Sequence, residues 1–266
     1  MLAVVTFSNH GARVAEFISG FFDSKLYYFG SDGLKNNNGK FFIKINSSDK
    51  VSDYFKDIYS QSSGVIFISA CGIAVRLIAP LLKHKTIDKP VIVIDDGARY
   101  VVSLLSGHEG GANELAGRVA GKLKIESIIT TGSESAKNLI LGLGMRKGVG
   151  EEEIEAAVYS VFDEHALQID TVRLIATVDI KSGEKGLLSF ADKKGLPIRF
   201  MEINKLKQVE KVTDSSLMVK QKIGAGSVCE GSAILAGTRT ELIVPKTIYR
   251  KKITVAVARE RYLWEV

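Results

Sequence analysis

"PVIVIDDGARYVVSLLSGHEGGANELAGRVAG", residues 90–121, holds two apolar runs, a glycine-rich corner and a helical pattern. The run "PVIVID" has no polar alternation, so it reads as a strand covered on both faces, the mark of a parallel sheet with helices on either side. A second run, Tyr100 to Leu104, reads as the next strand and stops at Ser106. Gly107, His108, Glu109, Gly110 and Gly111 follow, then a helix over Ala112–Lys122 with Asn113 and Glu114 in its first turn.

The same alternation extends in both directions. Toward the N-terminus, strands are expected at Leu2–Phe7, Leu26–Phe29, Phe41–Ile45 and Val65–Ser69, with helices at Ala12–Phe22, Ser52–Ser60 and Ile73–Lys83. Ser127–Thr131 is the strand after the quoted stretch. The second half begins with "LILGLGM" as a strand, and an acidic first turn favours a helix at Glu151–His165. A strand "RLIATVDI", a helix at Lys185–Lys194 closed by Gly195, and a strand at Ile198–Glu202 come next. Helices near Ser215–Ile223 and Val228–Ala236 and strands at Glu241–Val244 and Ile253–Ala258 complete the series. The polar stretch Gly132–Asn138 separates the halves. The expected fold is α/β with two domains, 1–135 and 136–266, each a mainly parallel sheet flanked by helices.

With 266 residues, 45% hydrophobic and 25% charged, the chain can bury two ordinary cores. The first apolar run, Leu2–Phe7, is short and no basic segment precedes it, so a signal peptide is not expected. Val65–Leu82 contains Arg76 and Pro80 and reads as strand, turn and helix rather than a membrane span. Cys71 and Cys229 are far apart, which implies neither a disulfide framework nor a zinc site and fits a cytoplasmic protein. The scattered histidines make no metal motif. A net charge of +6 suits a polyanionic partner. With no basic run longer than Arg250–Lys252 and no aromatic-interleaved RNA motif, nucleic acid is the weaker partner.

Three strand-to-helix corners share one form: "TFSNHG" (6–11), "SACG" (69–72) and "LLSGHEGG" (104–111). In a parallel sheet all three lie beyond the strands' carboxyl ends, where open α/β sheets bind ligands. Their helix N-termini offer amides and partial positive charge to an anion or an oxyanion. The alternative is a set of tight turns, with Glu114 merely favouring a helix dipole and His108 a surface residue. GxxxxGK[ST] is absent, and GxGxxG fails at Lys147, which excludes a P-loop and a nicotinamide fingerprint.

Residues 70–120, with "GIAVRLIAPLL", "DDGARYVVSLLSGH" and "GGANELA", closely resemble the N-terminal domain of the cobalamin biosynthesis protein G family, the cobalt-precorrin-5A hydrolases. "GLGMRKGV", "ATVDIKSGEKGLLSFADKKGLPI", "GSVCEGSAILAG" and "LIVPKTIYRKKITVAVAR" resemble its C-terminal domain, which also resembles a stand-alone protein of the aerobic cobalamin pathway. Longer members carry a middle domain, where this chain has only "TTGSESAKNL". Met145 stands where the family often has Cys.

The resemblance implies that water opens a δ-lactone on ring A of a cobalt-bearing macrocycle and that acetaldehyde departs. Cobalt travels in the substrate, and no separate cofactor or metal site is expected. The chemistry needs a base, oxyanion donors and an acid. His108, Glu114 and Glu109 are the expected acid–base residues, with amides near Gly110, Gly111 and Ala112 as oxyanion donors. Ser69, Gly72, Ser106, Asn113 and Thr131 are expected to line the site. Arg76, Arg146, Lys147 and Lys181 are expected to clamp the macrocycle's carboxylates, or else are solvated surface cations. Cys71 and Cys229 are expected to pack rather than react, and Trp264 to close a domain edge. Other enzymes of the pathway are candidate partners. A non-catalytic corrinoid-binding or hand-over protein is the alternative function.

Overall fold

The computed structural model describes residues 1–30, 42–44, 51–203, 206 and 227–265. The helix expected near Ser215–Ile223 lies outside them. The chain divides into two compact units, Met1–Thr131 and Gly132–Val266.

In the first unit the elements run β1 (Leu2–Thr6), α1 (Asn9–Ile18), β2 (Ser24–Tyr28), β3 (Phe42–Lys44), α2 (Val51–Gln61), β4 (Val65–Ile68) and α3 (Cys71–Ile78). Then come β5 (Val91–Ile94), β6 (Tyr100–Leu105), α4 (Ala112–Leu123) and β7 (Glu126–Ile128). They build one seven-stranded sheet in the order β3-β2-β1-β4-β5-β6-β7. Helix α3 ends earlier than its apolar pattern suggests. Pro80 lacks the N–H an α-helix needs, and the chain tightens into a 3-10 turn at Ala79–Leu81.

The unbroken strands are buried on both faces. Ile66, Ile68, Ile92 and Ile94 are all fully buried, and each contributes about 1.5–3 kcal/mol. One face packs on α1 and α4 through Ala15, Ile18, Leu115 and Val119. The other packs on α2 and α3 through Phe55, Ile58, Ala74 and Ile78.

Two strands run against the rest, β6 and, parallel to it, β7. β6 pairs antiparallel with β5, Val91 lying opposite Leu105 and Ile94 opposite Val101. The cause is local. Between "VIVI" and "YVVSLL" the carboxylate of Asp95 accepts the amides of Arg99 (2.7 Å), Tyr100 (2.8 Å) and Gly97 (3.2 Å), and the Arg99 Nε (2.9 Å). That network folds residues 95–100 into a hairpin turn, with Ala98 at φ +49°. An Asp-Gly pair between apolar runs is a hairpin signal, and Asp96-Gly97 is one.

Burial pushes the Asp95 carboxyl up, but the amides of Tyr100 and Arg99 and the Arg99 guanidinium outweigh it and hold it below the usual carboxylate range. A depressed folded-state pKa adds stability above the ordinary carboxylate pKa, and this is lost as pH falls through the folded value. Asp95→Asn should therefore cost about 1 kcal/mol at neutral pH. It should also flatten the acid limb of the stability curve, read by urea titrations from neutral pH downward. An unchanged acid limb would remove Asp95 from its role as organiser of the turn.

The second unit holds α5 (Gly132–Ser135), β8 (Leu139–Met145), α6 (Glu151–Glu164), β9 (Val172–Val178), α7 (Lys185–Lys194), β10 (Ile198–Met201), α8 (Val228–Leu235), β11 (Thr240–Tyr249) and β12 (Ile253–Glu260). Its sheet order is β10-β9-β8-β12-β11. β8, β9 and β10 are parallel, whereas β12 is antiparallel to both β8 and β11. Both sheets are thus mixed within an α/β architecture, the second evenly so. Phe162 of α6 and Phe190 of α7 fill the core on one face. On the other, α8 lies against β8, and Gly142 makes the approach possible: a Cβ there would strike the Cys229 carbonyl.

Candidate active site

Because β6 is reversed, the three corners do not share an edge. The β1–α1 and β4–α3 corners lie beyond the carboxyl ends of β1, β4 and β5. The corner after β6 lies at the opposite edge, beside the start of β5, together with the end of β7. A single pocket uniting Ser69 with His108 and Asn113 is therefore excluded. The predicted residues fall into three groups.

The first group, Ser69, Gly72 and Arg76, stands where the strand order reverses between β1 and β4, the position at which open α/β sheets take ligands. Two helix N-termini flank this crevice, α1 on one face of the sheet and α3 on the other. Ser8 caps α1, its Oγ accepting the Gly11 amide at 2.9 Å. Ala70 is the N-cap of α3 and has no side chain with which to cap it. The first-turn amides of α3, at Cys71 and Gly72, thus belong to the set a helix leaves open. Arg76 folds back over this turn, its Nη1 donating to the Gly72 carbonyl at 3.2 Å. It has no carboxylate partner among the described residues. A cation beside the positive end of a helix dipole is unfavourable alone, and an anion between them removes the conflict. Ser69 is buried and its Oγ turns to the Ala70 carbonyl at 3.3 Å.

Sequence reading missed Asp96. It is exposed, and its Oδ1 lies 3.0 Å from where a Cβ on Gly11 would stand, which places the carboxylate over the start of α1. His10, expected to be a structural or surface residue, is exposed in the first turn of α1. The hairpin that reversed β6 brings Asp96 here, and its Asp-Gly signal was the available clue.

The second group surrounds the start of α4. His108, Glu109 and Glu114 are exposed. Lys85 Nζ donates to Glu109 Oε1 at 2.9 Å, and that bond, with Glu109's own amide, holds its carboxyl below the usual range. A carboxylate so held is a poor base. The expected amide donors are also engaged in part: the Ala112 amide donates to the Ser106 carbonyl (3.1 Å) and the Asn113 amide to the Gly107 carbonyl (3.0 Å). Asn113 ties the corner together, accepting from Ser103 Oγ at 2.8 Å and donating to Thr131 Oγ1 at 2.9 Å. Ser106 is strained, at φ +58°, and its buried Oγ has no hydrogen-bond partner. Gly111, at φ +84°, is the left-handed N-cap that allows the chain to enter α4. Gly110 has no room for a Cβ, because the Ser106 side chain fills that space.

The third group is in the second unit, beyond the ends of β8 and β9. Lys181 is not a free clamp: its Nζ lies 3.2 Å from Glu184 Oε1, both side chains largely buried. The Gly148 amide donates to Glu184 Oε2 at 2.9 Å and, with Lys181 and Lys147, draws that carboxyl below its usual range. Arg146 and Lys147 are exposed. Cys229 is buried within hydrogen-bonding distance of Ser227 Oγ, 3.2 Å, whereas Cys71 is exposed. Trp264 does not close an edge: it is 80% exposed and stacks on its neighbour Tyr262. Among the described residues no His, Cys, Asp and Glu cluster could hold a metal ion, and no helix is long and apolar enough to cross a membrane.

Residues 53–134 match the family model described as Cobalamin synthesis G N-terminal, and residues 139–258 the one described as Cobalamin synthesis G C-terminus. A cobalt-precorrin-5A hydrolase of Priestia megaterium is 34% identical over 171 residues, 63% of this chain and 46% of that protein. One from Salmonella typhimurium strain LT2 is 46% identical over 79 residues, 30% of this chain and 22% of that protein. A probable cobalt-precorrin-5A hydrolase of Methanocaldococcus jannaschii is 21% identical over 339 aligned positions, covering 98% of this chain and 99% of that protein. The chain spans less than half the length of the first two relatives.

Proposed function

The chain belongs to the cobalamin synthesis G family, and from that premise we propose that it is a cobalt-precorrin-5A hydrolase whose chemistry takes place in the crevice between β1 and β4. Water adds to the lactone carbonyl, the acyl–oxygen bond breaks, and ring A keeps a carboxylic acid. The freed alkoxide then collapses to acetaldehyde. The electron pair of the broken carbon–carbon bond stays on the macrocycle, which takes up a proton.

One observation carries this location: the uncapped start of α3, with Arg76 folded over it and without a carboxylate partner among the described residues. The Cys71 and Gly72 amides are the oxyanion donors, and Arg76 holds a neighbouring carboxylate of the substrate. Asp96 takes the proton from water, and His10 supplies the proton that the macrocycle takes up as acetaldehyde leaves. No residue of the crevice acts as a covalent nucleophile in this reading, and cobalt enters only as part of the substrate.

The strained, unsatisfied Ser106 beside exposed His108 supports a second reading, in which the start of α4 carries the chemistry with His108, Glu109 and Glu114. Strain of this kind gathers at functional sites. Acetaldehyde release from cobalt-precorrin-5A by the purified chain separates the possibilities. Asp96→Asn should lower the rate about 100-fold, at the low end of general-base effects, and His108→Ala should leave it within about threefold. The reverse pattern transfers the chemistry to α4. Tight binding with no acetaldehyde makes the protein a corrinoid carrier.

A further inference from the structure

The hairpin joining β11 to β12 turns on Arg250 and Lys251, both left-handed, at φ +45° and +56°. The Lys252 amide closes it on the Tyr249 carbonyl at 3.0 Å. Arg250 and Lys251 are the central residues of a tight turn within the three-residue connection Arg250–Lys252. Two successive positive-φ residues at the centre of a tight turn are the arrangement that favours Asn-Gly, because a Cβ in that region crowds the backbone. Here the two longest cationic side chains occupy it. Strain kept where a strain-free pair would fit points to a use for the side chains.

Their surroundings indicate which use. The tip adjoins the loop after β8, since Ile253 pairs with Met145 and the Arg146 amide donates to the Lys252 carbonyl at 2.9 Å. Arg146, Lys147, Arg250 and Lys251 therefore meet at one edge of the second unit. The nearby carboxylates are largely engaged. Glu153 binds Lys252 at 3.0 Å, with Arg250 acting on it from farther away, and Glu184 binds Lys181. Arg146, Lys147 and Lys251 have no salt bridge among the described residues, and Arg250 lies 5.2 Å over the Tyr249 ring. A planar ring flanked by cations fits a flat molecule with an acidic rim.

We infer that the β11–β12 tip, with Arg146 and Lys147, is a docking site for the carboxylates of a tetrapyrrole. This rests on the proposed function for the identity of the natural ligand, but its test does not. Uroporphyrin, a polycarboxylate tetrapyrrole, is titrated by fluorescence against the full chain and against the double variant Arg250→Asn, Lys251→Gly. The variant should melt roughly 4–8 °C higher, as strain is relieved, and should bind about tenfold or more weakly, as two cationic contacts are lost. Uroporphyrin methyl ester should show no such loss. Arg146→Gln with Lys147→Gln should weaken binding without raising the melting temperature. If both double variants bind the porphyrin as tightly as the parent chain, the site is overturned. A loss confined to duplex DNA also overturns it, in favour of a nucleic-acid surface. A chain that binds uroporphyrin through the tip yet releases no acetaldehyde keeps this site and loses the hydrolase reading.

Discussion

Cys71→Pro should reduce acetaldehyde release by about 100–1,000-fold, the scale of removing one oxyanion donor, while the melting temperature stays within about 2 °C. Proline removes a single N–H, and few places in a protein allow that without collateral damage. Cys71 is one, because it is the first residue of α3 and its amide has no carbonyl four residues back to bind. The position is the one that helices most readily give to proline. Ala70 before it is already extended, at φ −65° and ψ 140°, the conformation a following proline demands. Only a ligand should notice the change. A rate near that of the parent protein would mean that the start of α3 stabilises no charge in the transition state.

Gly142→Val should destabilise the second unit by about 3 kcal/mol or more, or prevent it from folding. Gly142 lies on β8 under α8, and its missing side chain is the space taken by the Cys229 carbonyl and, 2.9 Å away, the Ala233 Cβ. Neither can yield: one is helix backbone, the other a buried methyl. Ala233, Ala236, Ala176 and Ala258 in the same cluster are small as well, which lets the helix approach the sheet closely there. Gly117 in α4 provides the contrast, since a Cβ there meets nothing within 4 Å. Gly117→Ala should raise the stability of the first unit by about 0.5–1 kcal/mol. Urea titrations of the two variants read both effects. A Gly142 variant as stable as the parent would show that α8 does not need this close approach.

Elements were legible wherever period and burial agree. "VIFI" and "VIVI" are strands because an unbroken apolar run suits a sheet covered on both faces, and α4 and α6 follow their helical spacing. Boundaries were less legible where a local signal competes with the pattern. Pro80 cut α3 short despite apolar residues continuing to Leu82. The candidate site was legible only in pieces: Ser69, Gly72 and Arg76 share an edge, but Asp96 joins them where His108 was expected.

The sequence alone determined that this is an α/β protein of two units, which residues face its cores, and which corners join a strand to a helix, because each depends on neighbours a few positions away. Only the tertiary structure decided which corners meet. Strand direction is a property of the whole sheet, and one hairpin held by the Asp95 carboxylate sends β6 backwards. That reversal carries His108 and Asn113 to one edge of the sheet and leaves Ser69 and Arg76 at the other.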